Sequence, residues 1–167
     1  QQGEHGVLRG HLARSNPHCR HAALDGLAIF SCGDAYVSAS YYPSKLDDPR
    51  TVPTWNYAVV HAAGTVRFID DPAFVRRNVE ELTELMEAGR ARPWKVADAP
   101  DDYLGKMLRA VVGVELEISS MQTKLKLSQN RSATDLQGVL DGLSAGTGAE
   151  KELADVMRRM AAGRVTK

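Results

Sequence analysis

The run NYAVVHAAGTVRFID (56–70), followed at once by Asp71 and Pro72, divides this 167-residue chain into two kinds of pattern. Val59, Val60, Val66, Phe68 and Ile69 are β-branched and aromatic residues of the kind that suits a pleated, half-buried surface. Gly64 in the middle reads as a bulge or bend. Asp71 then offers a capping carboxylate, and Pro72 can take the first helical position, where its missing N–H is no loss. Val75, Val79, Leu82 and Met86 follow at steps of four, three and four, one face of a helix, and Gly89 closes it. Strand-like sequence before residue 70 and mainly helix-like sequence after it make an α+β pattern.

The flanking segments extend this division. Upstream, VLRGHLA (7–13) reads as a strand ended by the turn-prone SNP (15–17). LAIF (27–30) is a short apolar run closed by Gly33 and Asp34, and AYVSASYY (35–42) alternates loosely. The charges and prolines of SKLDDPRTVP (44–53) mark a loop. Downstream, Asp98 and Pro100 repeat the helix-start signal, Leu104, Met107, Leu108 and Val111 form a stripe, and Gly113 ends it. VELEIS (114–119) alternates as a half-buried strand does, and KLKLSQNRS (124–132) is the next unit. A helix is expected from about Ser132, carrying Leu136, Val139, Leu140 and Leu143, and another with Leu153, Val156, Met157 and Met160, ending at Gly163.

Composition narrows the function classes. Lys plus Arg and Asp plus Glu are both 21, a formal net charge of zero, which argues against a chain built mainly on phosphate neutralisation and leaves a local basic face open. No apolar run approaches the roughly 18 residues a membrane span needs, and no signal peptide is seen, so a cytoplasmic protein without membrane association is expected. Cys19 and Cys32 have no ligand-spaced partners and read as reduced thiols. His11, His18 and His21 lack a second ligand pair, and none of HExxH, GxSxG, a P-loop or GxGxxG occurs, so neither a metal ligand nor a catalytic residue is assigned.

Three polar stretches remain. GHLARSNP (10–17) places Arg14, Ser15 and Asn16 at one strand end, a set that suits a phosphate, although residue types alone favour a solvated turn in which Pro17 ends the strand. KLSQNR (126–131) is rich in hydrogen-bonding groups and reads as a ligand contact or as a loop whose Asn130 or Ser132 caps the next helix. VPTWNY (52–57) sets Trp55 and Tyr57 about the amide of Asn56, as the wall of a site for a flat polar ligand or as core and interface aromatics.

These segments together are more specific than any one of them. GHLARSNP, AYVSASYYPSK (35–45), VPTWNY, Pro93-Trp94 and KLSQNR occur in the order and spacing of the PaiB-like proteins, a family of FMN-binding negative transcriptional regulators, and the chain resembles that family over nearly its whole length. The resemblance implies an α+β FMN-binding split β-barrel, like that of pyridoxamine-phosphate oxidases and flavin reductases, with peripheral and C-terminal helices. One domain over 1–167 is expected, with helical additions at about 71–112 and 132–163. The chain begins close to GHLAR, where family members carry further residues, so the first barrel strands are expected to be missing.

The resemblance also implies a homodimer with FMN at the subunit interface. Arg14 and Asn16, with Ser38 or Lys45, would hold the phosphate. Trp55, Asn56 and Tyr57 would border the flavin or the dimer seam, and Lys126, Ser128 and Gln129 would approach from another strand. Direct DNA binding is not expected, since there is no helix-turn-helix or basic recognition stripe. The tail cations Arg158, Arg159, Arg164 and Lys167 match ordinary helix-dipole complementarity. Regulation would then be indirect. The alternative is a flavin-dependent oxidoreductase, a flavin reductase or pyridoxamine-phosphate-oxidase-like enzyme, using the same pocket. A third reading is a haem binder in the same fold with a histidine as axial ligand.

Overall fold

Strand β3 runs over Thr54–Ile69 as one continuous element, so Gly64 interrupts nothing. A computed structural model describes residues 4–162 of the chain. Gly64 is needed for a close approach rather than for a bend. A Cβ there would overlap the backbone carbonyl of Glu117 on the neighbouring strand β4 (Val111–Lys126). The other strands are β1 (Val7–Ala13) and β2 (Ala23–Val37), and the sheet order is β1-β4-β3-β2. β1 pairs with β4 antiparallel, Val7 opposite Glu117 through Ala13 opposite Val111. That register sets Arg9 against Glu115, and the two form a cross-strand ion pair at 2.9 Å.

The sheet corrects three boundaries. LAIF and AYVSASYY are not separate elements. β2 passes through Gly33, whose φ of +99° glycine takes without steric cost, and only Ala39–Tyr41 turns off as a 3-10 helix. The VELEIS and KLKLSQNRS segments likewise share β4, which runs unbroken as far as Lys126 although its buried-exposed alternation ends at Ile118. Gly113 does not end a helix. It lies within β4, where its missing Cβ leaves room for the ring of Phe74.

Four α-helices complete the described chain: α1 (Pro72–Glu87), α2 (Asp101–Arg109), α3 (Ala133–Ser144) and α4 (Gly148–Ala162). Asp71 caps α1 by accepting from the Ala73 N–H at 2.9 Å, with Pro72 opening the helix. Ser132 caps α3 in the same manner, accepting from the Asp135 N–H at 3.1 Å. The expected stripe of α1 is only half used. Val75 is buried, but Leu82 and Met86 stand in solvent because nothing in the described chain covers the far end of that face. Gly163, Arg164 and Lys167 lie outside the described residues. No helix among the described residues is long and apolar enough to cross a membrane.

Two compact units result, and β2, β3 and β4 each contribute residues to both. One comprises the described residues of Gln1–Ala28 with Ala62–Met121, the other Ile29–His61 with the described residues of Gln122–Lys167. In the first, α1 lies against β1, and Ala62, Leu116 and Ile118 form a small cluster. In the second, Val37, Val139, Leu143 and Leu153 are fully enclosed with Tyr42, Leu127 and Met157. Each enclosed Leu or Val there contributes about 1.5–3 kcal/mol relative to exposure.

Replacing Gly64 by Ala places a methyl group on a backbone carbonyl that cannot move without breaking the sheet. The Gly64→Ala variant should lose roughly 2–4 kcal/mol of stability, read as a lowered urea midpoint at unchanged slope.

Candidate functional site

The pleat of β3 sorts VPTWNY into two faces. Asn56 and Ala58 are buried while Trp55, just before them, is 54% exposed. Successive side chains on a strand point oppositely, so Thr54, Asn56 and Ala58 share one face and Trp55 and Tyr57 the other. The exposed face carries an edge-to-face pair, Trp55 with Tyr36 of β2, with centroids 6.0 Å apart at 70°. The buried face carries Asn56, whose amide donates to Ser128 Oγ at 2.9 Å and to Met157 Sδ at 3.6 Å.

That contact shapes the turn at the end of β4. Ser128 has a φ of +58°, a conformation a non-glycine residue holds only when its surroundings fix it. Gln129 closes the same turn, accepting from the Leu127 N–H at 2.7 Å and donating to the Leu125 carbonyl at 2.9 Å. Ser128 and Gln129 therefore build the turn, and their polar groups are spent within it. Lys126, Asn130 and Arg131 are what the turn presents.

These residues meet the buried face of β3 at a cavity of about 230 Å³. It is lined by Tyr42, Thr54 and Asn56 on one side and by Lys126 and the 128–131 turn on the other. Lys126 Nζ donates to Thr54 Oγ1 at 2.6 Å. The Arg131 guanidinium lies 4.3 Å from the Tyr42 ring centroid. Among the described residues, neither cation is in an ion pair. Tyr42 is buried, and its hydroxyl has no hydrogen-bond partner among the described residues. An orphaned buried hydroxyl costs about 1–3 kcal/mol, and with two unpaired cations beside it the set fits the negatively charged end of a nucleotide cofactor such as FMN.

Beneath the cavity, Asp135 is only 5% exposed. It accepts from the Ser44 N–H at 3.1 Å and the Ser44 hydroxyl at 2.8 Å. The Ser44 N–H, then the hydroxyls of Ser44 and Ser132 and the charge of Arg131, hold its carboxyl below the usual carboxylate range against the opposing effect of burial. This anchors the Pro43–Leu46 segment, and Tyr42 with it, to α3.

The other expected residues lie elsewhere. Arg14, in the other unit, gives its fork to Asp70, with two bonds of 2.7 Å, and two further donors to the carbonyls of Arg109 (2.8 Å) and Val111 (3.2 Å). The pair is exposed and ties the start of β4 and the end of β3 to β1. Asn16 accepts from the His18 N–H at 3.0 Å and Ser38 from the Ser40 N–H at 3.1 Å, both as caps of short 3-10 helices. Lys45 is exposed on Pro43–Leu46 and is absent from the cavity lining.

The structure thus joins Asn56, Lys126, Ser128 and Gln129, and adds Tyr42, Thr54, Asn130 and Arg131. Tyr42 was within the AYVSASYYPSK segment, and Asn130 and Arg131 within KLSQNR. What the sequence lacked was the fold of the Ala39–Leu46 segment that brings Tyr42 beneath Arg131. No group of three His, Cys, Asp or Glu residues among those described is placed to hold a metal ion.

A family model described as "Putative FMN-binding domain" matches residues 1–120. "Protease synthase and sporulation protein PAI 2" of Bacillus subtilis is 31% identical over 163 residues, covering 94% of this chain and 74% of the relative. "Uncharacterized protein AN0679" of Emericella nidulans is 31% identical over 183 residues, covering 92% and 72%. Among solved structures, the flavocytochrome Anf3 from Azotobacter vinelandii aligns at 16% identity and TM-score 0.45, covering 72% of this chain and 50% of that one.

Two measurements test the site's construction. Asn56→Ala should cost roughly 1–3 kcal/mol, since it leaves Ser128 buried without its donor, and thermal unfolding would show the loss. Asp135 contributes stability that is fully present above its unfolded pKa of about 3.9 and is lost as pH falls below it towards its lowered folded pKa. Ser44→Ala should therefore flatten the decline of stability below about pH 4, as followed by circular dichroism.

Proposed function

The chain belongs to the PaiB-like family of FMN-binding proteins, its fold is α+β of the split-barrel type and FMN is its cofactor; on that premise we propose that it acts as a homodimer, with the flavin held where the two subunits meet. The observation that carries this reading is β2. It is an edge strand, yet Ile29 is 60% exposed, Phe30 and Tyr36 are each 47% exposed, and Trp55 beside Tyr36 is 54% exposed. A long edge bearing large apolar side chains is a liability unless it is covered, and a second copy covers the same patch on both partners.

The cavity beside β3 supports the same arrangement. At about 230 Å³ it is smaller than the roughly 300–1,000 Å³ of pockets that enclose a whole ligand, so it receives one end of the flavin nucleotide. The exposed Val52 and Pro53 at its lip leave the remainder to be enclosed by the partner. Lys126 stands on the ligand side of this cavity, Asn56 with Ser128 and Gln129 fixes the turn that borders it, and Trp55 and Tyr57 border the dimer seam from the other face of β3. Arg14, Asn16 and Ser38 hold the backbone in place, and Lys45 is a free cation on the surface.

When bound, FMN supplies one- or two-electron redox chemistry, and a cation such as Lys126 favours its anionic forms. Regulation through the protein is indirect. Equal numbers of acidic and basic residues leave no net charge to draw the chain onto DNA, and in this reading flavin occupancy or redox state is the signal passed to a partner. The free thiols of Cys19 and Cys32 suit a reducing compartment, and we place the protein in the cytoplasm.

Light scattering on the purified chain, with a visible spectrum after FMN addition and desalting, tests the proposal. A dimer that retains flavin is expected, and Ile29→Lys should yield a folded monomer that has lost it. A wild-type monomer that retains FMN as fully as any dimer would sink the seam.

A further inference from the structure

Along α1, Phe74, Arg77, Asn78 and Glu81 stand at i, i+3, i+4 and i+7, one flank of the helix. Opposite that flank, Arg9 and Glu115 face each other in the register of β1 and β4. His11, two residues past Arg9 and on the same face of β1, shares a 3.2 Å hydrogen bond with Asn78 Oδ1, which seats α1 on that face. Arg9, Phe74, Arg77, Asn78, Glu81 and Glu115 line a cavity of about 180 Å³. It lies within the unit of α1 and β1 and shares no residue with the cavity beside β3.

The charges on its walls are left open. Arg76 and Glu80 close an ion pair at 2.8 Å across one helical turn. Arg77 and Glu81, with the same spacing one residue on, form no ion pair among the described residues. Arg9 gives its Nε–H to Glu115 Oε1 at 2.9 Å, and among the described residues its terminal N–H groups and the second Glu115 oxygen are left without partners. Asn78 is 7% exposed, and its amide nitrogen has no partner among the described residues. The unpartnered side-chain atoms sealed from solvent among those residues are on Tyr42 and Thr51. The Asn78 nitrogen is therefore accessible, and this cavity is the opening that Asn78 lines.

The geometry points to a site for a small zwitterion, an α-amino acid with a short aliphatic side chain. Two guanidinium groups with free donors suit its carboxylate, and Arg77 offers a planar fork. Glu81 and the open oxygen of Glu115 suit its ammonium, Asn78 adds a neutral donor, and the ring of Phe74 gives the side chain an apolar surface. A simple anion meets two carboxylates on these walls, and a simple cation meets two guanidinium groups. Only a ligand carrying both charges answers both. The volume is the share of roughly six waters at about 30 Å³ each, too small for a drug-sized ligand and sufficient for a molecule of this kind. Because the charged walls are partly exposed, binding is weak, with a dissociation constant on the order of 1 mM.

L-Valine is the probe, titrated into the intact chain and followed by NMR at the side-chain amide of Asn78. Isovalerate, which is valine without the ammonium, and isobutylamine, which is valine without the carboxylate, are the paired controls. Valine should shift the Asn78 signal to saturation and bind at least about tenfold tighter than either control, the scale of one charge-assisted bond. Arg77→Met and Glu81→Gln, both at exposed positions, should each weaken valine about five- to tenfold with the ligand-free melting temperature unchanged. Glu81→Gln should also strengthen isovalerate, since it removes a carboxylate that faces the anion. Arg76→Met, at a residue paired with Glu80 and absent from the cavity lining, should leave valine binding as it is.

Equal responses to valine, isovalerate and isobutylamine show a general effect of added ions and overturn the site. The absence of a saturating shift at Asn78 up to about 50 mM valine, well above the expected dissociation constant, overturns it as well. Valine binding that survives both Arg77→Met and Glu81→Gln places the ligand elsewhere and counts equally against it. The comparison of the three ligands on the wild type decides the matter even where a variant is unstable. None of these results bears on the flavin reading, because neither the cavity beside β3 nor the edge of β2 supplies a residue here.

Discussion

Asn56 and Ser128 form a buried polar contact across 72 positions of sequence, and much of the unit that holds the cavity follows from it. An amide buried to 1% exposure must find partners or destabilise the core, and its partner here is a hydroxyl on a residue with positive φ. The bond therefore does two things. It fixes the end of β4 against the start of β3, and it holds the turn in a conformation that serine alone would rarely adopt. Without that turn, Lys126 and Arg131 would be two more surface cations. With it they share one wall with Tyr42.

The same residue types do opposite work in the two units. Arg14 places four of its five N–H donors on Asp70 and two backbone carbonyls, and its guanidinium, though exposed, serves the backbone. The Asp70 bond raises the Arg14 pKa, and the Arg14 bond lowers that of Asp70, as expected for a mutual clamp. Arg131 has no such acid and rests on an aromatic face instead. What separates a structural cation from a ligand-facing one is whether the fold has already supplied its counter-charge. Asn16 and Ser38 fall on the structural side by the same test, since their oxygens already accept from backbone N–H groups.

This view gives the family match a physical content. The match runs over residues 1–120, while the KLSQNR turn lies beyond it. The relative from Bacillus subtilis covers 94% of the chain, so the turn belongs to what the two have in common in length if not in each residue. The exposed edge of β2 and the small open cavity are both unfinished surfaces. The proposed second subunit would cover the first, and the cofactor would fill the second.

Much of this was legible along the chain. Period-2 and period-3.6 patterns located β1, β3 and the four helices, and the Asp71-Pro72 and Ser132 caps marked two helix starts, because each of these depends on neighbours a few residues away. Local sequence failed at Gly33, Gly64 and Gly113. A glycine reads as a stop or a bend, but there the strands run on, since at Gly64 and Gly113 the space where a Cβ would be is taken by the Glu117 carbonyl or the Phe74 ring, distant in sequence. The site was legible as a set of polar segments and not as a constellation. Sequence alone determined that Lys126, Asn56 and Arg14 were present and what each could donate. Only the tertiary structure decided which of them kept a free donor, because that depends on partners brought in by long-range pairing: Asp70 for Arg14, Ser128 for Asn56, and Thr54 for Lys126.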